Sequence, residues 1–459
     1  MKLLALLIAL ALTFGGCESK KPYDLVVKNA AVFDSRTGTV LAGRSILIKD
    51  GRIAAVADHR ETYPATRTLD ANGRLVVPGF IDTHIHPTDV FGDYAKAPKF
   101  LAQDSLANFR QKLSDEYLPY GVTTAMMMGQ PENWLPPILD WAQHPAPGFT
   151  DVYTVGGALI SAETRPPYVN HITVDSPAAA RRKVAEYHQQ GIRHLKLYWR
   201  LRRPEFVAAL QTAQQLGMRT YGHIDQNVML MDTTLQLGLR HYEHLLTLDN
   251  GVLRFPADAD GFGAHMQQHY GDRTPGFATI RLEMLRYIHE HKEAQMQALL
   301  RQMAQNRATF STAIHIMAEP FGLTYYSHMV DSTLTNPVDA QLSPAELARC
   351  RTNFKLLMSY GRQLADEGVK LRIGTDCAWG GRALQSEQLL LHEHGFSIAE
   401  ILQISTLNGA EALGMEADYG SIEKGKKANL VLFERSPFVD YKNFLSKKTI
   451  VKDGVVYAR

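Results

Sequence analysis

The sequence has few cysteines and no excess of charge of either sign. Only 3 of its 459 residues are cysteine, which excludes a disulfide framework as the main source of stability. Lys and Arg number 49 and Asp and Glu 47, so we expect no nucleic-acid partner and no disordered acidic block. Hydrophobic residues make up 45% of the chain, which is an ordinary value for a globular protein with a large core.

The start of the chain differs from the rest. Residues 3–14 are apolar apart from Thr13, a run that is too short to span a bilayer and is typical of an export signal. Two glycines then precede Cys17, as in a bacterial lipoprotein signal. We expect residues 1–16 to be a signal peptide and Cys17 to be lipidated, with a plain cleaved signal as the alternative. This predicts a lipid-anchored protein of the bacterial cell envelope, in the periplasm or at the outer membrane.

Short strand patterns occur at both ends of the mature chain. An Asp-Gly turn at 50–51 separates two apolar runs, and another at 453–454 does the same near the C-terminus. A single small β-sandwich domain built from both termini explains both patterns. We expect residues 22–76 to form its first part and residues 415–459 its second.

Over residues 77–414, apolar strand-like runs alternate with amphipathic helical stretches. Ser176 and Ser343 each precede a proline at the position where a helix would begin. The alternation predicts an α/β fold, a (β/α)8 TIM barrel, with a doubly wound open sheet as the alternative. The Gly-, Asp- and Pro-rich span Asn250–Phe277 is expected to be a long loop over one barrel end, where substrate lids occur. The eight runs are Leu75–Ile85, Thr123–Met128, Val152–Ala158, Leu195–Tyr198, Met218–His223, Leu239–His244, Thr309–Ile314 and Leu371–Thr375.

The motif His-x-His occurs three times, so the motif alone is a weak indication of a metal site. The copies at 289–291 and 392–394 lie in helical patterns, where residues two apart point about 200° apart and cannot bind one ion. His84 and His86 end a strand pattern, where residues two apart share a face. Both can point into the C-terminal mouth of a barrel, where active sites lie. Two solvated loop histidines are the alternative for this pair.

Other ligand-type residues fall at the ends of later strands. Lys196 lies inside an apolar run, where a lysine is costly to bury unless it is paired. His223 closes the fifth run, His244 closes the sixth with His241 as a rival, and Asp376 follows the eighth. Each alone could be a satisfied polar residue. A regular series at strands one, four, five, six and eight predicts instead a common site at the barrel mouth.

The stretch Val-Pro-Gly-Phe-Ile-Asp-Thr-His-Ile-His at 77–86, the C-terminal stretch 405–431 and Gly-Thr-Asp at 374–376 resemble the amidohydrolase superfamily. The resemblance covers nearly the whole mature chain. The Tyr-Glu-His pattern at 242–244 is most similar to the imidazolonepropionase and prolidase-like dipeptidase branch. Asn429 stands where the family usually has aspartate, a departure outside the metal site.

The resemblance implies two divalent metal ions. Imidazole and carboxylate ligands suit zinc, with manganese, iron and cobalt as alternatives. Some relatives lack the lysine and use one ion, so a single-ion site stays open if the lysine faces elsewhere. Six residues would hold the ions: His84, His86 and Asp376 the first, His223 and His244 the second, and Lys196, as a carbamate formed with carbon dioxide, both.

Such a site predicts hydrolysis of an amide-type C–N bond, through attack of a metal-bound hydroxide on a carbonyl carbon. Asp376 is the expected acceptor of the water proton and its donor to the leaving nitrogen. The favoured substrate is a small molecule, a dipeptide or an N-acyl amino acid. Tyr198 and Arg200 are candidates to bind it, against a packing aromatic and a solvated arginine. Cys377 is interpreted as a small buried residue, not a nucleophile.

Other functions stay open at this point. Hydrolysis of a cyclic amide, ureide, imidazolone or lactone would use the same site. A non-catalytic envelope binding protein would keep the barrel but lack ligands, and a structural lipoprotein would lack a convergent polar pocket. The sequence is compatible with a homo-oligomer.

Overall fold

The structure, a computed structural model, describes residues 23–86, 90, 103–168, 170–225, 229–325, 339 and 341–457. The expected signal peptide and Cys17 lie outside the described residues. Among the residues that are described, we find no helix with the length and apolar character needed to cross a membrane.

Eighteen strands are present in the described part of the chain. They are β1 (Tyr23–Asp34), β2 (Thr39–Lys49), β3 (Arg52–Asp58), β4 (Ala65–Asp70), β5 (Leu75–Pro78), β6 (Phe80–Ile85), β7 (Val122–Met127), β8 (Asp151–Thr154), β9 (Ala158–Ser161), β10 (His171–Val174), β11 (His194–Leu197), β12 (Arg219–Gly222), β13 (His241–Tyr242), β14 (Thr309–Ser311), β15 (Lys370–Arg372), β16 (Leu430–Phe433), β17 (Lys448–Lys452) and β18 (Val455–Tyr457).

Thirteen α-helices are described beside them, together with short 3-10 turns at Leu118–Tyr120, Glu132–Trp134, Leu245–Gly251 and Tyr441–Leu445. The helices are α1 (Gln103–Tyr117), α2 (Leu135–Gln143), α3 (Pro177–Gln189), α4 (Arg203–Gln215), α5 (Met231–Gln236), α6 (Ala259–Tyr270), α7 (Phe277–His291), α8 (Glu293–Gln305), α9 (His315–Ala318), α10 (Pro344–Asp366), α11 (Gly380–Glu393), α12 (Ile398–Ser405) and α13 (Leu407–Leu413).

Both ends of the chain share one sheet. Its strand order is β18-β17-β16-β5-β1-β2-β3, with β4 beside β1. Strand β5 joins the two halves, because it pairs in parallel with β1 and antiparallel with β16. Buried Val27, Ile46, Val76 and Leu432 belong to a core of its own. The predicted small β domain built from both termini is confirmed.

The central part is the predicted barrel. Strands β6, β7 and β8 are parallel neighbours, and β9, β11, β12, β13, β14 and β15 continue the parallel order. The third barrel strand runs from β8 into β9. Backbone hydrogen bonds from Thr83 N to Ile373 O and from Asp376 N to His84 O, both 2.9 Å, join the first strand to the eighth. This arrangement excludes the doubly wound open sheet.

Two helices begin where the sequence predicted. The Ser176 hydroxyl accepts a hydrogen bond from Ala179 N at the start of α3. Ser343 and Glu346 form a capping box at the start of α10. In both cases a side-chain oxygen satisfies a backbone N–H group that has no partner within the helix.

Two expectations about local structure were wrong. The run Leu75–Ile85 is two strands in two domains, because the chain crosses over at Gly79, whose N–H donates to Asn429 O at 2.8 Å. The span Asn250–Phe277 is not a structureless loop, since it contains α6. That helix buries Phe262, whose ring packs 5.8 Å from the ring of Tyr287 on α7.

Candidate metal centre

Three ligand-type side chains meet at the C-terminal end of β6. His84 Nε2 and His86 Nε2 lie 3.3 Å apart, and Asp376 Oδ1 lies 3.6 Å from the first and 3.3 Å from the second. Ligand atoms around a tetrahedral zinc ion, with bonds of about 2.1 Å, lie about 3.4 Å from one another. The spacing of these three atoms therefore fits one ion, and a strand end supplies both imidazoles as its alternation predicts.

Two of the ligand-type residues have left-handed backbone conformations. Asp376 has φ of 50° and His244 has φ of 62°, a region that side chains other than glycine occupy at a cost. Neighbouring strands hold both residues there. Asp376 N donates to His84 O at 2.9 Å, and His244 N donates to the Ser311 hydroxyl at 2.9 Å.

Close packing of the first and eighth strands brings Asp376 to the histidines. A Cβ atom on Gly374 would lie 2.7 Å from the Cβ of His84, so this approach requires glycine. Asp82 then joins the two strands. Its carboxylate accepts from His84 N at 3.1 Å, from Thr375 N at 3.1 Å and from the Thr375 hydroxyl at 2.6 Å.

A second group of predicted residues lies beside the first. His244 Nε2 is 3.0 Å from Asp376 Oδ2, and the His223 and His244 rings are 4.6 Å apart between centroids. Lys196 is 1% exposed and points into the barrel, and within the described residues its Nζ has no hydrogen-bond partner. The structure thus brings together all six predicted ligands.

The protonation states suit metal binding. Burial lowers the pKa of His84 to about 3 and that of His223 well below its usual value, so both imidazoles are neutral. Burial also lowers the pKa of Lys196 to about 8, against the opposing effect of nearby carboxylates. Burial alone would raise the pKa of Asp376, but His84, His244 and His86 hold it well below its usual range. The carboxylate is therefore ionised at neutral pH.

Glu243 is a functional residue that the sequence analysis did not identify. Its Oε2 lies 2.6 Å from His84 Nδ1 and accepts from the Ser311 hydroxyl at 2.6 Å, while Oε1 pairs with Arg372. Glu243 and Arg372 are fully buried. A carboxylate on the second nitrogen of a ligand histidine fixes its tautomer and ring orientation. The available signal was a glutamate next to His244 in the Tyr-Glu-His pattern.

The other histidines considered as metal ligands lie away from this cluster. His241 Nδ1 is 2.9 Å from the Thr309 hydroxyl, at the level where β13 and β14 begin, and not with the cluster. In the other His-x-His copies, His289 Nδ1 contacts Glu293 on the same helix and His392 Nδ1 contacts Phe396 O. Strand geometry, not the motif, distinguishes the pair at the site.

A cavity of about 450 Å³ opens over the cluster. Tyr198, the candidate substrate-binding tyrosine, lines it, with its ring 5.4 Å from the His223 ring. Further lining residues come from the segment before and at the start of β10, namely Tyr168, Asn170 and His171. These three residues were not predicted, because their segment follows the third barrel strand without the regular spacing of the ligand series.

Arg200 supports this segment and does not line the cavity. It is 5% exposed, pairs with Glu163, and donates to Pro166 O at 3.1 Å and Arg165 O at 2.8 Å. Arg202, its neighbour, forms a half-exposed ion pair with a glutamate of α4. The contacts of Arg200 fix the loop that precedes Tyr168.

Known proteins resemble this chain in part of the sequence and in the fold. The sequence profile of the amidohydrolase family matches residues 358–456, which include Asp376. An L-hydantoinase of Paenarthrobacter aurescens is 37% identical over 68 residues, 15% of this chain and 14% of that protein. An imidazolonepropionase of Brevibacillus brevis is 32% identical over 103 residues, 21% of this chain and 24% of that protein. The chain thus aligns with a small part of each curated relative.

Solved structures match over nearly the whole chain. A Xaa-Pro dipeptidase with bound methionine in its active site has a TM-score of 0.66 at 16% identity, covering 95% of this chain and 100% of that one. A putative prolidase from Bifidobacterium longum has a TM-score of 0.64 at 19% identity, covering 95% and 94%. At these identities the likeness concerns the fold. The match to the amidohydrolase family profile is confined to residues 358–456, which hold the eighth barrel strand and the C-terminal strands.

Proposed function

We propose that this chain is a metal-dependent hydrolase of amide-type C–N bonds. The observation that carries the proposal is the spacing of His84, His86 and Asp376, which fits one tetrahedral ion at the C-terminal mouth of a barrel. The family match over residues 358–456 supports the same reaction class.

We propose a second ion, held by His223 and His244, with Lys196 as a carbamate between the two. The buried Lys196 Nζ, which has no hydrogen-bond partner among the described residues, fits this modification. Its amine nitrogen would bond to the carbon of CO2 and lose a proton, leaving one negative charge shared by two oxygens that could serve as metal ligands. When bound, divalent ions of this kind activate water and polarise a carbonyl oxygen, and zinc suits the donor set best.

The chain's own residues then perform the proton transfer and hold the site. Asp376, whose side chain is 21% exposed and faces the cavity, takes a proton from the attacking water and returns it to the leaving nitrogen. Glu243 keeps the His84 ring in place from behind. Tyr198 and His171, whose rings are 4.7 Å apart, form an aromatic wall against which a substrate side chain can pack.

The favoured substrate is a dipeptide or an N-acyl amino acid. A cavity of about 450 Å³ has the size of a small-ligand site, and structural neighbours include the dipeptidase and the prolidase described above. Hydrolysis of a cyclic amide or ureide is the second candidate, because the chain is 37% identical to an L-hydantoinase over 68 residues. A binding protein without turnover is disfavoured by the complete ligand series.

The decisive experiment compares two histidine variants. The purified protein is assayed with a panel of dipeptides, N-acyl amino acids, hydantoins and lactones, and its metal content is measured. His84→Ala should abolish hydrolysis and lower the metal content, whereas His291→Ala, an exposed histidine of the same motif on α7, should change neither. Equal activity of His84→Ala and the unmodified protein against the substrate that is turned over would refute the proposal.

A separate experiment tests the proposed carbamate on Lys196. After incubation with ¹³C-bicarbonate and zinc, a carbamate on Lys196 gives a ¹³C carbonyl resonance that Lys196→Met lacks. Lys183→Met, which changes a lysine on the outer helix α3, keeps the resonance. Two bound ions without that resonance would disprove the bridging carbamate while leaving the hydrolase proposal intact.

We also propose that the protein is anchored in the bacterial envelope through a lipid on Cys17. The apolar run before the Gly-Gly-Cys sequence supports this location. Cells fed a radioactive fatty acid should label the protein, and Cys17→Ser should lose the label and leave the membrane fraction. Label retained in that variant would contradict the anchor.

A further inference from the structure

A second cavity lies at the opposite end of the barrel from the metal centre. Its volume is about 490 Å³, comparable with the cavity over the cluster. His194 begins β11 and Arg219 begins β12, and both line it. The metal ligands follow the C-terminal ends of the strands, so the two cavities open on different faces of the protein.

Two arginines provide the charge of this cavity. Arg193 donates from one guanidinium nitrogen to His188 O at 2.8 Å and Ile192 O at 3.2 Å. Arg219 donates from one nitrogen to Glu411 O at 3.2 Å and Ala412 O at 3.4 Å. Backbone carbonyls thus hold each guanidinium by one arm. In the described part of the chain we find no carboxylate paired with either arginine.

The rest of the lining is neutral. No aspartate or glutamate side chain is among the described residues that line the cavity, and Leu139, Ile192, Leu413 and Met415 form an apolar surface beside the arginines. His194 adds a neutral ring, tied at Nδ1 to the Tyr221 hydroxyl at 3.0 Å. A cavity with two fixed cations, no anion and an apolar wall is complementary to an anion with an apolar body.

We propose that this cavity is a second binding site, separate from the metal centre, for a small organic anion: a carboxylate or phosphate head bound by Arg193 and Arg219, with an apolar body against Leu139, Ile192 and Met415. The proposal does not depend on the hydrolytic function. It assigns a ligand-binding role to the barrel face that ordinarily contributes stability.

Crystals of the full protein soaked with para-bromophenylpropionate provide the direct test. Anomalous scattering should locate bromine in this cavity, with the carboxylate between the two guanidinium groups. Bromine in the metal-site cavity alone, or no ordered bromine, would overturn the proposal.

Calorimetric titration gives the matching energetic test. Arg219→Met and Arg193→Met should each weaken binding of the carboxylate about tenfold, the loss expected for one hydrogen bond to a charged group. Arg301→Met, an exposed arginine on α8, should leave it unchanged. Because Arg193 is exposed and its loss does not disturb the core, the second variant remains informative if Arg219→Met folds poorly.

Two further ligands test the charged head group and the apolar body of the proposed ligand separately. The amine of the same shape, para-bromophenethylamine, should not bind, since the cavity has no anion. Inorganic phosphate should bind more weakly than the carboxylate, because it lacks the apolar body. Equal binding of the amine would disprove charge recognition, and equal binding of phosphate would disprove the apolar subsite.

Discussion

Two aspartates at opposite ends of barrel strands differ in what surrounds them. Asp376 follows β15 at the C-terminal end, with imidazole nitrogens of His86 and His244 at 3.3 and 3.0 Å. Asp151 begins β8 at the N-terminal end, where its carboxylate lies 3.0 Å from Lys452 Nζ and 3.1 Å from Lys427 Nζ. Both carboxylates therefore have side-chain nitrogen atoms as close partners.

The residues around each aspartate indicate what its carboxylate does. Those of Asp376 are imidazole rings that line a cavity, and its backbone has an unfavourable conformation. Those of Asp151 are ammonium groups of the C-terminal β segment, and the Tyr419 hydroxyl donates to it at 2.9 Å. The first carboxylate faces the cavity over the histidine cluster, while the second pairs with two lysines and joins the β domain to the barrel. One face of the barrel therefore carries the cluster of ligand-type residues, and the other face contacts the terminal β domain.

The largest effect is expected at Asp376. Asp376→Asn should lower kcat/KM for the hydrolysed substrate by about 10³-fold, because the amide neither accepts the water proton nor balances the charge of an ion. Its melting temperature should stay close to that of the unmodified protein. Asp366→Asn, at an exposed position on α10, is the control. Activity within tenfold of the unmodified enzyme would remove Asp376 from the proton transfer.

A substitution of Asp151, at the N-terminal end of the barrel strands, should lower stability and leave activity unchanged. Asp151→Ala leaves the buried Lys452 and the partly buried Lys427 with Asp453 as their one remaining carboxylate among the described residues, and should lower the free energy of unfolding by about 3 kcal/mol. Urea denaturation measures this, and kcat/KM below the unfolding transition should not change. Asp140→Ala removes an exposed pair with His144 and should have little effect. Loss of activity in folded Asp151→Ala would break the division between the two faces.

A smaller effect on the reaction is expected at Lys196. Lys196→Met should reduce the metal content from two ions to one and lower kcat/KM by about 10²-fold, the order of several kcal/mol for an ion at the reaction centre. Because the buried amine has no hydrogen bond to lose within the described residues, stability of the metal-free protein should not fall. An unchanged metal content would show that the site uses one ion.

The smallest expected effect concerns Tyr419. Tyr419→Phe removes its hydrogen bonds to Asp151 and to the Tyr153 hydroxyl, and should cost about 1 kcal/mol of unfolding free energy. Activity should be unaffected. In the Asp151→Ala background, Tyr419→Phe should cost less unfolding free energy than in the unmodified protein, since one of its two hydrogen bonds is already lost. Full additivity would mean that the two residues stabilise the protein independently.

The repeating architecture and the clustering of ligand-type residues could be predicted because each follows from strand periodicity. Apolar runs of similar length between helices indicated the eight barrel strands, and a polar residue at the end of a run indicated the mouth. His84 and Asp376 are far apart in sequence, and parallel strand ends alone place them together. The same logic separated His84 from His289, which a motif search would not do.

The other features of the site and fold depend on three-dimensional contacts that the periodicity of the sequence does not reveal. Glu243 is a charge at a buried position, and its pairing with His84 and Arg372 follows from three-dimensional packing. Arg200 was predicted to reach the substrate, yet the structure directs its donors to a neighbouring loop. Helix α6 was missed because its glycines obscured the apolar face that Phe262 presents to α7.

The shared terminal sheet affects the order of folding during synthesis. Strand β5 has one neighbour, β1, that is made before it, but its other neighbour, β16, is made after the whole barrel. Until then β5 presents an open strand edge of the kind that pairs with other chains. Contacts this distant in sequence form slowly, so we expect a chain with the incomplete sheet to be prone to aggregation. A chaperone that shields residues 75–78 would have its greatest effect before residue 430 emerges.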